Sequence, residues 1–176
     1  MDLVNYTVDG AVALIELNRP PVNALSGDVA EELTEATSLA EDPAIRAVVI
    51  TGRPHFAAGA DITGFQMAHS QGQGGMEGMR LDTVVRRFEK LAKPTIAAIH
   101  GYALGGGLEL AMGADFRYMA EDAQVGQPEI KLGIIPGAGG TQRLVRLVGL
   151  SKARQMNYSG DFVSAQEAVA IGLAEK

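Results

Sequence analysis

The chain has 176 residues, a length that suits one domain with its own hydrophobic core. Hydrophobic residues make up 47 % of the sequence and charged residues 20 %, proportions that exclude disorder and fibrous repeats. The formal net charge is −6 and no Lys/Arg cluster is dense enough for a nucleic-acid arm, so we expect no nucleic-acid partner.

Cysteine is absent, which excludes disulfides, thiolate zinc sites and cysteine nucleophiles. The first residues lack the pattern of a secretory signal, and no apolar run approaches the ~18 residues that span a bilayer. We therefore expect a cytoplasmic location and no membrane partner. Glycine is in excess, at 22 residues without a collagen-like period, which predicts tight turns and close approaches of the backbone to a ligand.

Apolar spacing and turn residues predict a series of alternating strands and helices. In chain order these are a strand over 11–17, a helix over about 28–40, a strand over 44–51, a glycine-rich mobile loop over 64–79, a helix over about 81–91, strands over 95–99 and 116–119, and a mostly helical last third. Within that last third, Ser164 and Glu167 have the spacing of a capping box. The pattern predicts an α/β fold in a single domain over residues 1–176, without linkers or internal repeats.

Several common site patterns are missing. No serine lies in a G-x-S-x-G elbow, and the glycine-rich segment 133–141 lacks the G-K-[ST] ending of a phosphate-binding loop. The three histidines, His55, His69 and His100, are not spaced as metal ligands. This spacing predicts no metal site.

Two small-residue turns follow predicted buried strands. Residues 56–62 come after the strand that ends at Thr51, and residues 101–112 leave the strand that ends at Ile99 and enter a helix through three glycines. The carboxyl ends of parallel strands are where α/β folds bind ligands. Backbone N–H groups from two such turns, one of them at the positive end of a helix, could form an oxyanion hole for an acyl carbonyl that becomes an enolate.

Glu109 and Glu129 could complete this arrangement as a pair of carboxyl groups around one small cavity. Two such groups do not easily ionise together, so one can hold a proton near neutral pH and supply an acid beside a base. Simpler interpretations exist for each part. Glu109 could favour a helix N-terminus, Glu129 could be a solvated loop residue, and the glycines could permit tight packing of the helix on a strand.

Together with the segments 17–25 and 134–144, these residues resemble the crotonase superfamily, and most closely its enoyl-CoA hydratases. The resemblance extends from about residue 3 to Lys176, with the motifs in the order of the family. It implies a spiral of ββα units that assembles as homotrimers or homohexamers, an acyl-CoA thioester substrate and no separate cofactor. Family members usually continue into C-terminal helices that cover the acyl pocket, so we expect that region to be absent or incomplete here.

The resemblance also implies roles for individual residues. Ala60 and Gly106 match the oxyanion-hole donors, and Glu109 and Glu129 match the two catalytic glutamates, with Glu129 the better candidate to deliver a proton to C2. The positions that match or adjoin the CoA and acyl path are Val22, Ala58, Asp61, Ile62, Gly105 and Pro128. The implied reaction is reversible syn addition of water to a trans-2-enoyl-CoA.

Two other functions stay open at this point. An enoyl-CoA isomerase of the same superfamily often works with one carboxylate, so the presence of both glutamates favours hydration. A non-catalytic acyl-CoA-binding protein would keep the oxyanion hole without turnover, and the two glutamates argue against it.

Overall fold

The structure is a computed structural model that describes residues 1–61 and 76–176, with side chains for 1–61 and 81–176. Its elements, in chain order, are β1 (Val4–Asp9), β2 (Val12–Leu17), α1 (Gly27–Leu39), β3 (Ala47–Gly52), β4 (Ala57–Ala58), α2 (Met76–Glu89), β5 (Thr95–Ile99), β6 (Tyr102–Leu104), α3 (Gly106–Met112), β7 (Phe116–Met119), β8 (Gln124–Gly126), a 3₁₀ helix (Pro128–Leu132), α4 (Gly140–Ser159), β9 (Val163–Ser164) and α5 (Ala165–Ala170). The predicted α/β class is confirmed.

A five-stranded sheet forms one layer, in the order β1-β2-β3-β5-β7. Strand β1 pairs antiparallel with β2, and the other pairs are parallel. In β2, Ala13, Ile15 and Leu17 are buried while Val12 and Leu14 are exposed. This alternation turns one face of the strand toward the core, because successive side chains in a strand point to opposite sides.

A second sheet has the order β4-β6-β8-β9, with β4, β6 and β8 parallel. Each of these parallel strands comes directly after a strand of the first sheet, so the chain runs β3-β4, β5-β6 and β7-β8. Helix α2 follows the first of these pairs, α3 the second, and the 3₁₀ helix the third. These repeated units are the spiral of ββα units that the resemblance implied.

The short strands that follow β3 and β5 correct one prediction. The sequence predicted turns over residues 56–62 and 101–112, whereas the first segment contains strand β4 and the second contains strand β6. The chain changes direction between β5 and β6 at Gly101, whose φ is 53°. Strands of two or three residues are too short to show an alternating pattern, so periodicity could not reveal them.

Local sequence explains where two helices begin. The Ser26 Oγ accepts the Val29 N–H at 3.3 Å and caps α1. The Ser164 Oγ accepts the Glu167 N–H at 3.2 Å, which confirms one half of the predicted capping box. The Glu167 carboxylate forms an ion pair with Lys152, and this pair takes the place of the capping-box hydrogen bond from the Ser164 N–H. In residues 1–61 and 76–176, no helix is both long and apolar enough to cross a membrane.

Helix α2 begins at Met76, earlier than the predicted start near residue 81. The predicted glycine-rich loop over 64–79 is therefore wrong in its last residues, and its remainder, residues 64–75, lies outside the described residues. Residues 76–79 have no hydrophobic stripe that separates them from the glycine-rich segment before them, which explains the missed boundary.

Helix α3 packs closely on β4 at Gly107. A Cβ atom added to Gly107 would lie 2.0 Å from the carbonyl oxygen of Ala57. Because the obstacle is backbone, it cannot rotate away as a side chain could. Gly107 therefore sets how near α3 can approach the second sheet, and one glycine of the triplet does serve tight packing.

We predict that Gly107→Ala lowers the free energy of unfolding by about 1–3 kcal/mol, the usual cost of overpacking a core. Gly137→Ala is the matched control, since no atom lies within 4 Å of its added Cβ. The control should change stability by less than about 0.5 kcal/mol. Urea denaturation of both variants measures the difference, and equal midpoints would contradict the assigned contact.

Candidate active site

Glu109 and Glu129 lie beside the same cavity although they belong to different elements. Glu109 is in the first turn of α3 and Glu129 in the 3₁₀ helix after β8. Their exposed fractions are only 2 % and 9 %. Burial of both rules out the interpretation of Glu129 as a solvated loop residue and places the two carboxyl groups in a low-dielectric site.

Gly105 allows this approach. Its φ of 52° is in the region that favours glycine, and it directly precedes α3. A Cβ at Gly105 would lie 3.1 Å from Oε1 of Glu129. The absence of a side chain therefore lets the Glu129 carboxyl group reach the N-terminal end of the helix that carries Glu109.

The Glu109 carboxylate is anchored by the turn that precedes α4. Its Oε1 accepts the N–H groups of Ala138 and Gly140, each at 2.7 Å. Burial raises the pKa of Glu109 above its ordinary value, and these two hydrogen bonds and the positive charge of Arg143 act in the opposite direction. The nearby Asp82 adds to the upward shift. Two N–H donors on one oxygen make this the better stabilised of the two carboxylates.

The Glu129 environment is different. The pKa of Glu129 is raised to about 7. Burial is the largest cause, the negative charge of Glu109 adds to the rise, and a backbone hydrogen bond at Glu129 itself opposes it. Its Oε2 is buried and has no hydrogen-bond partner within the described part of the chain. Near neutral pH the group is therefore poised between acid and base, the condition that suits a proton donor.

Ala60 and Gly106, the two predicted oxyanion-hole residues, both line the cavity. Ala60 bridges Leu25, which donates to the carbonyl of Gly59 at 2.9 Å and accepts from the N–H of Asp61 at 3.0 Å. This pairing turns the Ala60 N–H away from Leu25. Its nitrogen is 3.8 Å from the place that a Cβ on Gly106 would occupy. Gly106 is the first residue of α3, so its N–H has no acceptor within the helix.

The cavity has a volume of about 230 Å³. It brings together most of the predicted site residues, namely Ala58, Ala60, Gly105, Gly106, Glu109, Pro128 and Glu129. Apolar side chains form much of the remaining wall, namely Leu25, Ala30, Leu81, Leu104, Leu132, Ile134 and Ile135. An apolar wall with a few convergent polar groups is the usual character of a small-molecule site.

Two predicted substrate contacts, Val22 and Asp61, do not line this cavity. The carbonyl of Val22 accepts the Ala58 N–H at 3.0 Å and so supports the wall from behind. Asp61 forms an ion pair with Arg19 at 2.5 Å. Ile62 lies outside the described residues. Their contacts with CoA stay predictions.

Sequence reasoning missed Gln127 and the function of Gly140. Gln127 is fully buried, its Nε2 donates to the carbonyl of Gly105 at 3.3 Å, and its Oε1 has no partner in the described part of the chain. A Cβ at Gly140 would lie 2.8 Å from that Oε1 and 2.9 Å from Oε1 of Glu109. The only available signal was the glycine-rich segment 133–141, which the sequence analysis compared with phosphate loops.

The histidines lie apart from this cavity where they are described. His55 and His100 border a separate surface pocket, and Nδ1 of His55 accepts the N–H of Tyr102 at 3.3 Å. Burial and the charge of Arg53 lower the pKa of His100. Among the side chains described, those of residues 1–61 and 81–176, no group of three is suited to hold a metal ion. The absence of a cofactor stays a prediction, and His69 lies outside the described residues.

Comparison with known proteins gives consistent matches over almost all of the chain. Residues 7–176 match the family described as "Enoyl-CoA hydratase/isomerase". The chain is 45 % identical over 175 residues to a probable enoyl-CoA hydratase of Bacillus subtilis. The match covers 98 % of this chain and 68 % of that protein. It is 47 % identical over 173 residues to the crotonyl-CoA hydratase of Syntrophomonas wolfei, covering 94 % of this chain and 65 % of that protein. The chain thus spans about two thirds of the length of these relatives.

The fold gives the same result. A crystal structure of enoyl-CoA hydratase from Thermoplasma volcanium matches with a TM-score of 0.90 and 39 % identity, covering 99 % of this chain and 71 % of that one. The resemblance that the motifs predicted is confirmed: the chain belongs to the enoyl-CoA hydratase/isomerase family.

Proposed function

We propose that this chain is an enoyl-CoA hydratase that adds water reversibly to the 2,3 double bond of a trans-2-enoyl-CoA and yields a 3-hydroxyacyl-CoA. The observation that carries the proposal is the meeting of two unlike carboxyl groups and two N–H groups in one cavity. The names of the relatives, enoyl-CoA hydratase and crotonyl-CoA hydratase, support it. The expected trimer or hexamer and the cytoplasmic location stay predictions.

In this proposal the thioester oxygen accepts hydrogen bonds from the N–H groups of Ala60 and Gly106, two residues that line the cavity. When water adds at C3, negative charge moves from the double bond onto that oxygen as an enolate. Donors that are already oriented stabilise this charge without reorganising, and one such donor typically contributes ~10²–10³-fold in rate. This role explains why glycine and alanine, with little or no side chain, form that wall.

The two glutamates divide the proton transfers between them. The water oxygen bonds to C3 while its proton passes to the carboxylate of Glu109, which the N–H groups of Ala138 and Gly140 hold in place. The enolate then takes the proton of Glu129 at C2. Exchange with solvent returns a proton from Glu109 to Glu129, so one turnover adds the H and OH of one water. Both groups act from the same side of the planar enoyl unit, which makes the addition syn.

Crotonyl-CoA is the direct test of this reaction. The wild-type protein should remove the enoyl-thioester absorbance, and chromatography should identify 3-hydroxybutyryl-CoA as the product. Conversion of 3-butenoyl-CoA to crotonyl-CoA without any hydroxy product would indicate an isomerase instead. Saturable binding without turnover would indicate a non-catalytic acyl-CoA-binding protein.

We predict that Glu109→Gln and Glu129→Gln each lower kcat by ~10²–10⁴-fold, the usual contribution of positioned acid–base catalysis. In Glu109→Gln the amide oxygen can still accept the N–H groups of Ala138 and Gly140, so substrate affinity should fall much less than kcat. Because the two groups act as a unit, the double variant should be far less impaired than the product of the single effects. Glu121→Gln, at an exposed glutamate, is the control and should keep wild-type rates. Rates within a few-fold of wild type in either single variant would contradict the assignment.

The raised pKa of Glu129 also predicts how stability depends on pH. Between the ordinary value of 4.5 and about 7, the folded protein keeps this proton while the unfolded chain has released it. Raising the pH through this window therefore favours the unfolded chain, and the loss in unfolding free energy approaches about 3 kcal/mol. The stability of the wild type relative to Glu129→Gln should fall across this window and level off above it. A constant difference in urea denaturation from pH 4 to pH 8 would contradict the raised pKa.

A further inference from the structure

Arg143 lies beside the turn that holds Glu109, although it is not among the residues that border the cavity. Its Nη1 donates to the carbonyl oxygen of Ala138 at 2.8 Å. Its Nε and Nη2 donate to the two carboxylate oxygens of Glu89 at 3.2 and 2.7 Å. The Arg143 side chain is 11 % exposed, so most of this contact is shielded from water. One guanidinium thus links the end of α2 to the turn before α4.

The turn is shaped to receive that guanidinium. Gly139 has a φ of 98°, and a Cβ there would lie 2.0 Å from Nη1 of Arg143. The main chain closes the same turn, since the N–H of Arg143 donates to the carbonyl of Gly139 at 2.9 Å. Arg143 therefore holds this turn from both its backbone and its side chain. The residues on either side of Gly139, Ala138 and Gly140, are the ones that donate to Glu109.

The charges around Glu109 come from three elements. Arg143 on α4 is positive, whereas Asp82 on α2 is negative, and Glu129 on the 3₁₀ helix is a second acid. Glu89 neutralises part of the Arg143 charge but is itself 48 % exposed, so water screens it more strongly. The field of Arg143 therefore favours the ionised form of Glu109 against both acids and against burial.

We propose that Arg143 is a positioning residue for Glu109: its guanidinium fixes the 138–140 turn against α2, holds the Glu109 carboxylate in place and favours its ionised form. The catalytic part of this inference rests on the proposed function, because only a hydratase would use Glu109 as the base toward water. The positional and electrostatic part concerns the free protein and can be tested without turnover.

Four variants separate charge, geometry and fold. Arg143→Met removes the charge and the hydrogen bonds but keeps an apolar stem, and Arg143→Lys keeps the charge but loses the planar fork that reaches Ala138 and Glu89 together. Glu89→Gln removes the ion pair and leaves the bond to Ala138. Arg146→Met is the matched control, because Arg146 is an exposed arginine of the same helix whose Nη1 donates to the carbonyl of Gln142 at 2.7 Å.

The main readout is the titration of Glu109, followed by NMR of protein labelled with ¹³C in the glutamate carboxyl groups and assigned by comparison with Glu109→Gln. We expect the pKa of Glu109 to rise in Arg143→Met and to stay at the wild-type value in Arg146→Met. Arg143→Lys and Glu89→Gln should leave it near or below the wild-type value, since both keep the positive charge. An equal pKa in Arg143→Met and Arg146→Met would overturn the proposal, whether or not the protein hydrates crotonyl-CoA.

Kinetics test the geometric part. Arg143→Lys should lower kcat for crotonyl-CoA by ~10–100-fold with little change in KM, because a displaced base slows the chemical step without touching the substrate. Wild-type kcat in Arg143→Lys would overturn the positioning role even if Arg143→Met proved too unstable to titrate. A wild-type protein without hydratase activity would instead refute the proposed function and leave the titration result to decide the role of Arg143.

Discussion

A carboxylate can be buried only where other donors replace the water that it loses, and the structure around the cavity follows from that requirement. The N–H groups of Ala138 and Gly140 supply the replacement for Glu109 at 2.7 Å each. They can do so only because Gly140 has no side chain, as a Cβ there would lie 2.9 Å from the carboxylate. Helix α3 and the turn before α4 must therefore meet at one place. That meeting forms one side of the cavity.

The same requirement makes the two glutamates chemically unequal. Glu109 has two strong donors and a nearby arginine, whereas Oε2 of Glu129 has no partner among the described residues and the group has a pKa of about 7. Burial raises both pKa values, but the N–H donors and Arg143 oppose the rise at Glu109, whereas the charge of Glu109 adds to the rise at Glu129. One residue type can thus provide both a base and an acid. Hydration needs both, because the water must lose a proton while C2 gains one.

Glycine serves three distinct purposes at this site. Gly105 adopts a positive φ and leaves room for Glu129, Gly107 brings α3 within contact of Ala57, and Gly139 lets the Arg143 side chain fold back over the turn. The excess of glycine in the composition indicated such close approaches in general. It could not indicate which atoms meet at each, because those atoms belong to residues distant in sequence.

The sequence by itself determined the α/β class, strands β2, β3, β5 and β7, helix α1, the Ser164 cap and the choice of the two glutamates as site candidates, through periodicity and the motif pattern of the family. It did not reveal β1 or the start of α2 at Met76, and it did not reveal β4, β6, β8 and β9, which are too short for periodicity. Tertiary structure alone decided that Gln127 is buried, that Glu109 is anchored from residues 138 and 140, and that Arg143 joins Glu89 to that turn. These contacts connect residues up to 54 positions apart, and their strength depends on burial and distance, which local sequence does not encode.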